Sequence, residues 1–344
     1  MNNGTIQDIA KKAGVAKSTV SRVLNGGINV SEKTREKVMR IIEETKYQPS
    51  ELARGLSTKA SNVIGVITPD SASYFWGQVL EGISEVVESN NFTAMLCITN
   101  NSWSREHLAL QKMRGQRVNG LLITPSVEYN TSEHRKEFLQ DLESLNCPIV
   151  FIDRAVRNSR WDGVYFDNYN GAYLATDALI QKGCHKIGAI IGDIALNLGK
   201  ERKDGFLQAL SDAGLETEEK YIYFNNYKIS LMDSYGVTKN WIKKAELPEA
   251  VLLSNGMIAN GFIKALLEEG LTPGRDVICL GFDYVEALDV LNLDYSYLDR
   301  DAVNMGRIAA KMLFEQTNGE RREYIIPVTL KLSKNFYNNN GKTL

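Results

Sequence analysis

The chain has 344 residues, 43% hydrophobic and 24% charged, with 27 Gly and 7 Pro; this is a globular composition with apolar material for more than one core, and it excludes a disordered, collagen-like or mini-protein chain. No run of about 18 apolar residues reads as a membrane span, and Met1-Asn2-Asn3-Gly4 leads into a polar stretch rather than a signal-peptide core, so a cytoplasmic chain with no membrane partner is expected. The formal net charge of −2 conceals an asymmetry: residues 1–60 hold 11 basic and 6 acidic side chains, while the other 284 hold 29 and 36. A cationic head on an acidic body suits a polyanionic partner, because Lys and Arg that neutralise phosphates release condensed counterions. Cys97, Cys147, Cys184 and Cys279 are scattered among apolar residues with no C-x-x-C pair, which points to reduced, buried thiols and no metal site.

Thr5 can cap a first helix, with Asp8 in its first turn and Ile6, Ile9, Ala10 and Ala13 on one face. Gly14 ends it, Val15 plugs the corner, and a second helix runs over Lys17 to Leu24 with Val20, Val23 and Leu24 inward. Two short helices about one Gly turn describe a helix-turn-helix. The outward residues of the second helix, Lys17, Ser18, Ser21 and Arg22, are short or cationic groups able to reach base edges and phosphates in a major groove. Ser31 can cap a third helix from Glu32 to about Thr45, whose Val38, Ile41 and Ile42 close a small core. Beyond it, Ser50 can cap a helix of little more than one turn, too short to stand alone and therefore expected to fold against a partner.

The wording of this region, Thr5-Ile6-Gln7-Asp8-Ile9-Ala10, then Ala13 to Gly26 and Val30 to Val38, closely resembles the head of the LacI/GalR family of bacterial transcription regulators, and Tyr47 to Leu56 looks like the hinge helix of that family. The resemblance implies operator DNA contacts at Thr5, Lys17, Ser18, Thr19, Ser21, Arg22, Asn25, Asn29, Ser31, Thr34, Tyr47, Ala53, Arg54 and Leu56. It also implies that two hinge helices pair across a dimer and that Leu56 wedges into a minor-groove base step. Without the flanking Ala53-Arg54-Gly55, Leu56 would read as a core leucine.

From Asn62 the texture changes to apolar runs, Val63–Ile67, Ala94–Ile98, Gly120–Thr124, Pro148–Ile152, Lys186–Ile191, Ala250–Ser254 and Val277–Gly281. Amphipathic helices fit between them at about 76–90, 104–116, 134–145, 169–182, 201–214, 230–245, 256–270 and 301–317. The alternation predicts an α/β body of two doubly wound parallel-sheet halves with a cleft between. The resemblance extends to the body and implies subdomains like periplasmic sugar-binding proteins, crossing near 162, 291 and 323. The expected division is a head over 1–47, a hinge and linker over 48–61 and a body over 62–344. Within the body, about 62–162 plus 292–323 form one half and about 163–291 plus 324–344 the other.

Ligands of such sheets sit beyond the carboxyl ends of the strands. The groups placed there are Ser71, Tyr74, Phe75, Ser126, Asp153, Arg154, Arg202, Asn255 and Asp283, the last three at positions resembling the effector-contacting arginine, asparagine and aspartate of the family. Hydroxyl-pairing carboxylates and amides, an arginine fork and aromatic faces suit a small-molecule effector, with a sugar or sugar derivative expected. The same Asp and Asn also serve as turn caps, and Asp153-Arg154 reads equally as an internal ion pair. Gly256 and Tyr284 stand where the family commonly has acids, and Lys331-Leu332-Ser333 where many members have Arg-x-Ser, which leaves the effector open.

Enzyme readings lose. Gly341-Lys342-Thr343 imitates a phosphate loop but has Phe336 in place of its first Gly, His107, His134 and His185 are isolated, and no H-E-x-x-H, G-x-S-x-G or G-x-G-x-x-G occurs in context. The resulting expectation is a homodimeric, sequence-specific DNA-binding repressor without a cofactor, controlled by an effector in the cleft, with a protein corepressor left open as a further partner. The alternative is a periplasmic-type small-molecule binding protein, which would have no use for residues 1–60. The tail lacks the leucine heptads of a tetramer module.

Overall fold

The computed structural model describes residues 5–24, 27, 29–47, 61–71, 73–315 and 320–337, and the chain divides into two units, Met1–Ser61 and Asn62–Leu344. The expected hinge helix, with Ala53, Arg54 and Leu56, and Asn25 of the head lie outside the described residues.

In the first unit, α1 (Ile6–Ala13), α2 (Lys17–Leu24) and α3 (Glu32–Thr45) fall where the periodicity puts them. Thr5 and Asp8 form a reciprocal capping box, the Thr5 hydroxyl accepting from the Asp8 N–H and the Asp8 carboxylate from the Thr5 N–H at 2.7 Å. Gly14 takes φ +64°, and the Val15 N–H closes the turn on the Ala10 carbonyl at 3.1 Å. Ile9, Ala10, Ala13, Val20, Val23 and Val38 make the core, with Val15 and Tyr47 half-buried against it. This is the minimum in which three short helices share one apolar centre.

The second unit holds two six-stranded sheets. The first is built from β1 (Val63–Thr68), β2 (Thr93–Ile98), β3 (Gly120–Ile123), β4 (Ile149–Ile152), β5 (Asp162–Phe166) and β11 (Glu323–Ile326), in the order β11-β5-β4-β3-β1-β2, all parallel. The second is built from β6 (Ile187–Ile191), β7 (Ile222–Phe224), β8 (Ala250–Leu253), β9 (Ile278–Gly281), β10 (Ser296–Asp299) and β12 (Thr329–Lys331), in the order β12-β10-β9-β8-β6-β7, with only β12 antiparallel. The first sheet is covered by α4 (Tyr74–Ser89), α5 (Trp103–Gln116), α6 (Arg135–Ser144) and α12 (Ala302–Phe314), and the second by α7 (Asn168–Gln181), α8 (Asn197–Asp212), α9 (Leu231–Lys243), α10 (Gly256–Glu268) and the short α11 (Glu286–Val290). Central strands buried on both faces read as continuous apolar runs, which is why β1, β3, β4, β6, β8 and β9 are plain in the sequence.

The crossings fall later than expected. β5 still belongs to the first sheet and β10 to the second, so the chain changes sheets after Phe166, between Asp299 and Ala302, and after Ile326 rather than near 162, 291 and 323. Strands of three to five residues with polar members, such as Ser296–Asp299 and Thr329–Lys331, give too little alternation to be read.

Where α4 crosses α12, Gly82 and Gly306 face the opposite backbone: a Cβ on Gly82 would run into the Val303 carbonyl and one on Gly306 into that of Val79. Backbones this close leave no room for a methyl group to be absorbed by rotamer changes. Gly82→Ala should therefore lower stability by about 1–3 kcal/mol, read as a fall in the urea midpoint; an unchanged midpoint would show that the crossing can spread.

Candidate functional site

The carboxyl ends of the two sheets face one cleft of about 450 Å3. From the first sheet, the turn after β4 brings Asp153, held at φ +66°, and Arg154, while the first turn of α4 brings Tyr74, Phe75 and Trp76. From the second, Arg202, Asn255 and Asp283 line the opposite wall. Seven of the nine expected effector residues thus share one cavity: Tyr74, Phe75, Asp153, Arg154, Arg202, Asn255 and Asp283. Ser71 is exposed and Ser126 is buried, and neither is among the lining residues.

Several of these groups sit differently from the sequence reading. Arg202, expected in the first turn of a helix over about 201–214, lies in the second turn of α8, which starts four residues earlier. Its Nε donates to Asn168 Oδ1 at 2.9 Å and its Nη1 to the Ser254 carbonyl at 2.7 Å, and the guanidinium lies 4.3 Å over the Phe282 ring. Burial, and after it the charge of Arg300, lowers its pKa to about 10. Asn255 caps α10, its Oδ1 accepting from the Ile258 N–H at 2.9 Å, and Asp283 Oδ2 accepts from the Gly256 N–H at 2.9 Å; both are caps and cleft walls at once. Arg154 is not paired with Asp153: its Nη1 donates to Asn101 Oδ1 at 2.8 Å and to the Pro125 carbonyl at 2.9 Å.

Other cleft groups were not among those expected. Arg300, 6% exposed, is ion-paired with Asp283 and stands 4.0 Å from Asp153. Its signal is the charged triplet Asp299-Arg300-Asp301 just before an apolar helix, at a crossing that the sequence places nine residues earlier. Across the mouth, Lys228 pairs with Asp70 at 3.4 Å, and the Tyr74 and Tyr284 rings lie 5.3 Å apart, so each subdomain contributes one member of both contacts.

In the head, Lys17, Ser18, Arg22 and Asn29 are exposed, while Thr19, Ser21, Thr34 and Tyr47 are half-buried. α2 starts at Lys17 with no acid in its first turn, so its positive end is not screened by a carboxylate of its own. Two other expected contacts have structural duties: Thr5 caps α1, and the Ser31 hydroxyl, capping α3, is 2.8 Å from that of Thr34.

The family described as bacterial regulatory proteins, lacI family, matches residues 5–50, and the periplasmic binding protein-like domain matches residues 176–330. The HTH-type transcriptional repressor PurR of Serratia proteamaculans (strain 568) is 30% identical over 331 residues, which cover 95% of each chain. The chain belongs to the lacI family of bacterial regulatory proteins. The ribose operon repressor of Haemophilus influenzae (strain ATCC 51907 / DSM 11121 / KW20 / Rd) is similar to this lacI-family chain at 28% identity over 337 residues, 97% of this chain and 98% of that one. Among solved structures, the lac repressor dimer bound to operator and the anti-inducer ONPF matches with a TM-score of 0.84 and 24% identity over 97% of this chain and 99% of that one, which shows a shared fold. As a member of the lacI family, the chain is a helix-turn-helix DNA-binding transcriptional regulator and not an enzyme. Among the described residues, no helix is long and apolar enough to cross a membrane.

A buried acid stands behind the cleft of this lacI-family body. Glu106, on the inner face of α5, accepts from the Ser126 N–H and from the Tyr129 hydroxyl at 2.6 Å. The carbonyls of Pro125 and Ser126 are in turn acceptors for Arg154, so Glu106 fixes the loop that aims a cleft guanidinium. Burial raises the Glu106 pKa from 4.5 to about 7, against the opposing hydrogen bonds of Tyr129 and Ser126. Its folded-state pKa lies above the unfolded one, so folding takes up a proton in between: the stability that comes with the protonated acid is fully present below pH 4.5 and is lost as pH rises through about 7. The urea-derived stability of the wild type relative to Glu106→Gln should fall by roughly 3 kcal/mol from below that window to above it; a pH-independent difference between the two proteins would show that this acid titrates normally.

Proposed function

We propose that the chain is a homodimeric repressor whose two heads bind half-sites of a near-palindromic operator, and whose body holds a sugar or sugar derivative in the cleft between its subdomains. The observation that carries the effector half is the convergence of Asp153, Arg202, Asn255 and Asp283 from both sheets on one cavity that Tyr74 and Phe75 also line. Carboxylate and amide oxygens accept from ring hydroxyls, arginine donates to them, and aromatic faces cover the C–H side of a sugar ring. The ribose operon repressor among the relatives is in keeping with this class. Lys17, Ser18 and Arg22, exposed on the helix that enters the groove in helix-turn-helix proteins, are the base and phosphate readers.

Edge strand β2 supports the dimer: Ala94, Leu96 and Ile98 are all exposed on one face of it, an apolar row that a second copy would cover. Ligand and DNA are then linked through the arrangement of the subdomains, and a ligand acts as corepressor or inducer according to which arrangement it binds more tightly.

The test uses the full chain. An operator enriched from random duplexes should bind with an affinity that falls about 10³-fold or more between ~50 and ~200 mM salt, as six or more phosphate contacts require, and Arg22→Ala should cost about tenfold or more in operator affinity. In a thermal-shift screen of pentoses, hexoses, their phosphates and nucleobases, a sugar should raise the melting temperature of the wild type. Arg202→Lys, which cannot hold Asn168 and the Ser254 carbonyl with one fork, should lose that shift yet keep operator affinity. Salt-independent, sequence-indifferent DNA binding would overturn the operator half. A shift that survives Arg202→Lys would move the ligand elsewhere.

A further inference from the structure

Arg300 lies on the second crossing, between β10 of the second sheet and α12, which covers the first. One arm of its guanidinium is ion-paired with Asp283, just beyond β9 of the second sheet. The other stands 4.0 Å from Oδ1 of Asp153, just beyond β4 of the first. Its flat face is 3.8 Å from the centre of the Phe75 ring and 5.2 Å from that of Phe166, both in the core of the first subdomain. A planar, permanently charged fork is thus held between one carboxylate from each subdomain by two aromatic rings. Without it, Asp153 and Asp283 would face the same space as like charges.

The grip is unequal. The pairing with Asp283 is a hydrogen-bonded one, whereas 4.0 Å to Asp153 is beyond a hydrogen bond and leaves only Coulomb attraction. Asp153 Oδ1 and Arg300 Nε are both buried without a hydrogen-bond partner. The joint is therefore half made, closed on Asp283 and open on Asp153.

We propose that Arg300 is a positioning residue, the clamp that holds the two subdomains in this arrangement and so places Asp153 and Asp283 on either side of the cleft. It governs ligand response only if the cleft is the ligand site proposed above. The clamp itself can be tested without a ligand, so the two fail separately.

One backbone amide reports closure directly. The Asn197 N–H, at the first position of α8 on the second subdomain and thus without an intrahelical partner, donates to Glu128 Oε2 of the first subdomain at 3.0 Å. Hydrogen exchange on the full chain, followed in the peptide containing Asn197, compares the wild type with Arg300→Gln and Asp283→Asn, and with Glu128→Ala to set the rate of the released amide. Each clamp variant should speed Asn197 exchange about tenfold or more, toward the Glu128→Ala rate, while the core amides of Ala250–Leu253 keep wild-type rates. Arg300→Lys, which retains the charge but not the fork, should fall between. Unchanged exchange at Asn197 in both clamp variants, or acceleration shared by Ala250–Leu253, overturns the clamp; with Arg300→Gln unfolded, the Asp283→Asn result alone decides.

Discussion

A guanidinium withdrawn from water must find counter-charge or acceptors on every side, and the cleft of this regulator is arranged around that requirement. Arg300 meets it with carboxylates drawn from two different sheets, and Arg202 through an amide oxygen, a main-chain carbonyl and the face of Phe282, with Asp153, Asp283 and Asp193 near enough to act by charge. The two arginines repel each other, and that repulsion is one reason the Arg202 pKa is depressed. With Arg154, Arg202, Lys228 and Arg300 against Asp70, Asp153, Asp193, Asp283 and Glu286, the lining of the cleft is close to charge balance. Such a site favours a neutral ligand rich in hydroxyls, which can satisfy donors and acceptors together without upsetting that balance.

The same logic reaches one layer outward. Glu106 contributes nothing to the cleft surface, yet its carboxylate holds the Ser126 amide, and the adjoining carbonyls hold Arg154. Ser126, expected as a ligand contact, supplies backbone rather than side chain to this relay, and its hydroxyl has no hydrogen-bond partner. In the head, Thr5 and Ser31 are engaged as helix caps, which orients α1 and α3 and so presents α2. Residues that resemble ligand or DNA contacts thus include some that position the contacts of others.

How much of this could be read from the chain follows from the period of each signal. The head was readable almost to the residue, because capping groups, Gly14 and a 3.6-residue apolar period all agree over three helices. The doubly covered strands were readable because their apolar runs are unbroken. β5, β7, β10, β11 and β12 were not: β7, β11 and β12 lie at sheet edges, where a fully apolar strand is not needed, and β5 and β10, though inside their sheets, are short strands broken by polar members such as Asp162, Ser296 and Asp299. That failure carried the crossings with it, and with the crossings Arg300, since a charged residue draws notice only when it is known to lie between sheets. The walls Arg202, Asn255 and Asp283 survived because they follow strongly apolar strands, although the first of them stands on a helix.

A ligand moves a two-state sensor only by the difference between its affinities for the two states. The ion pair of Arg300 with Asp283 and the exposed pair of Lys228 with Asp70 favour the arrangement seen here, but the second is solvent-screened and worth little. The joint at Arg300 is one contact between the subdomains, beside the Asn197–Glu128 hydrogen bond and the Tyr74–Tyr284 ring contact, and modest ligand contacts can compete with it. A hydroxyl between Asp153 and Arg300 could donate to the free carboxylate oxygen and accept from the guanidinium, adding two charge-assisted hydrogen bonds to the half-made side of the joint. Because those bonds exist only while both subdomains flank the cleft, nearly all of their free energy would appear as differential affinity, and reciprocity would pass the same amount to the DNA-binding equilibrium coupled to it.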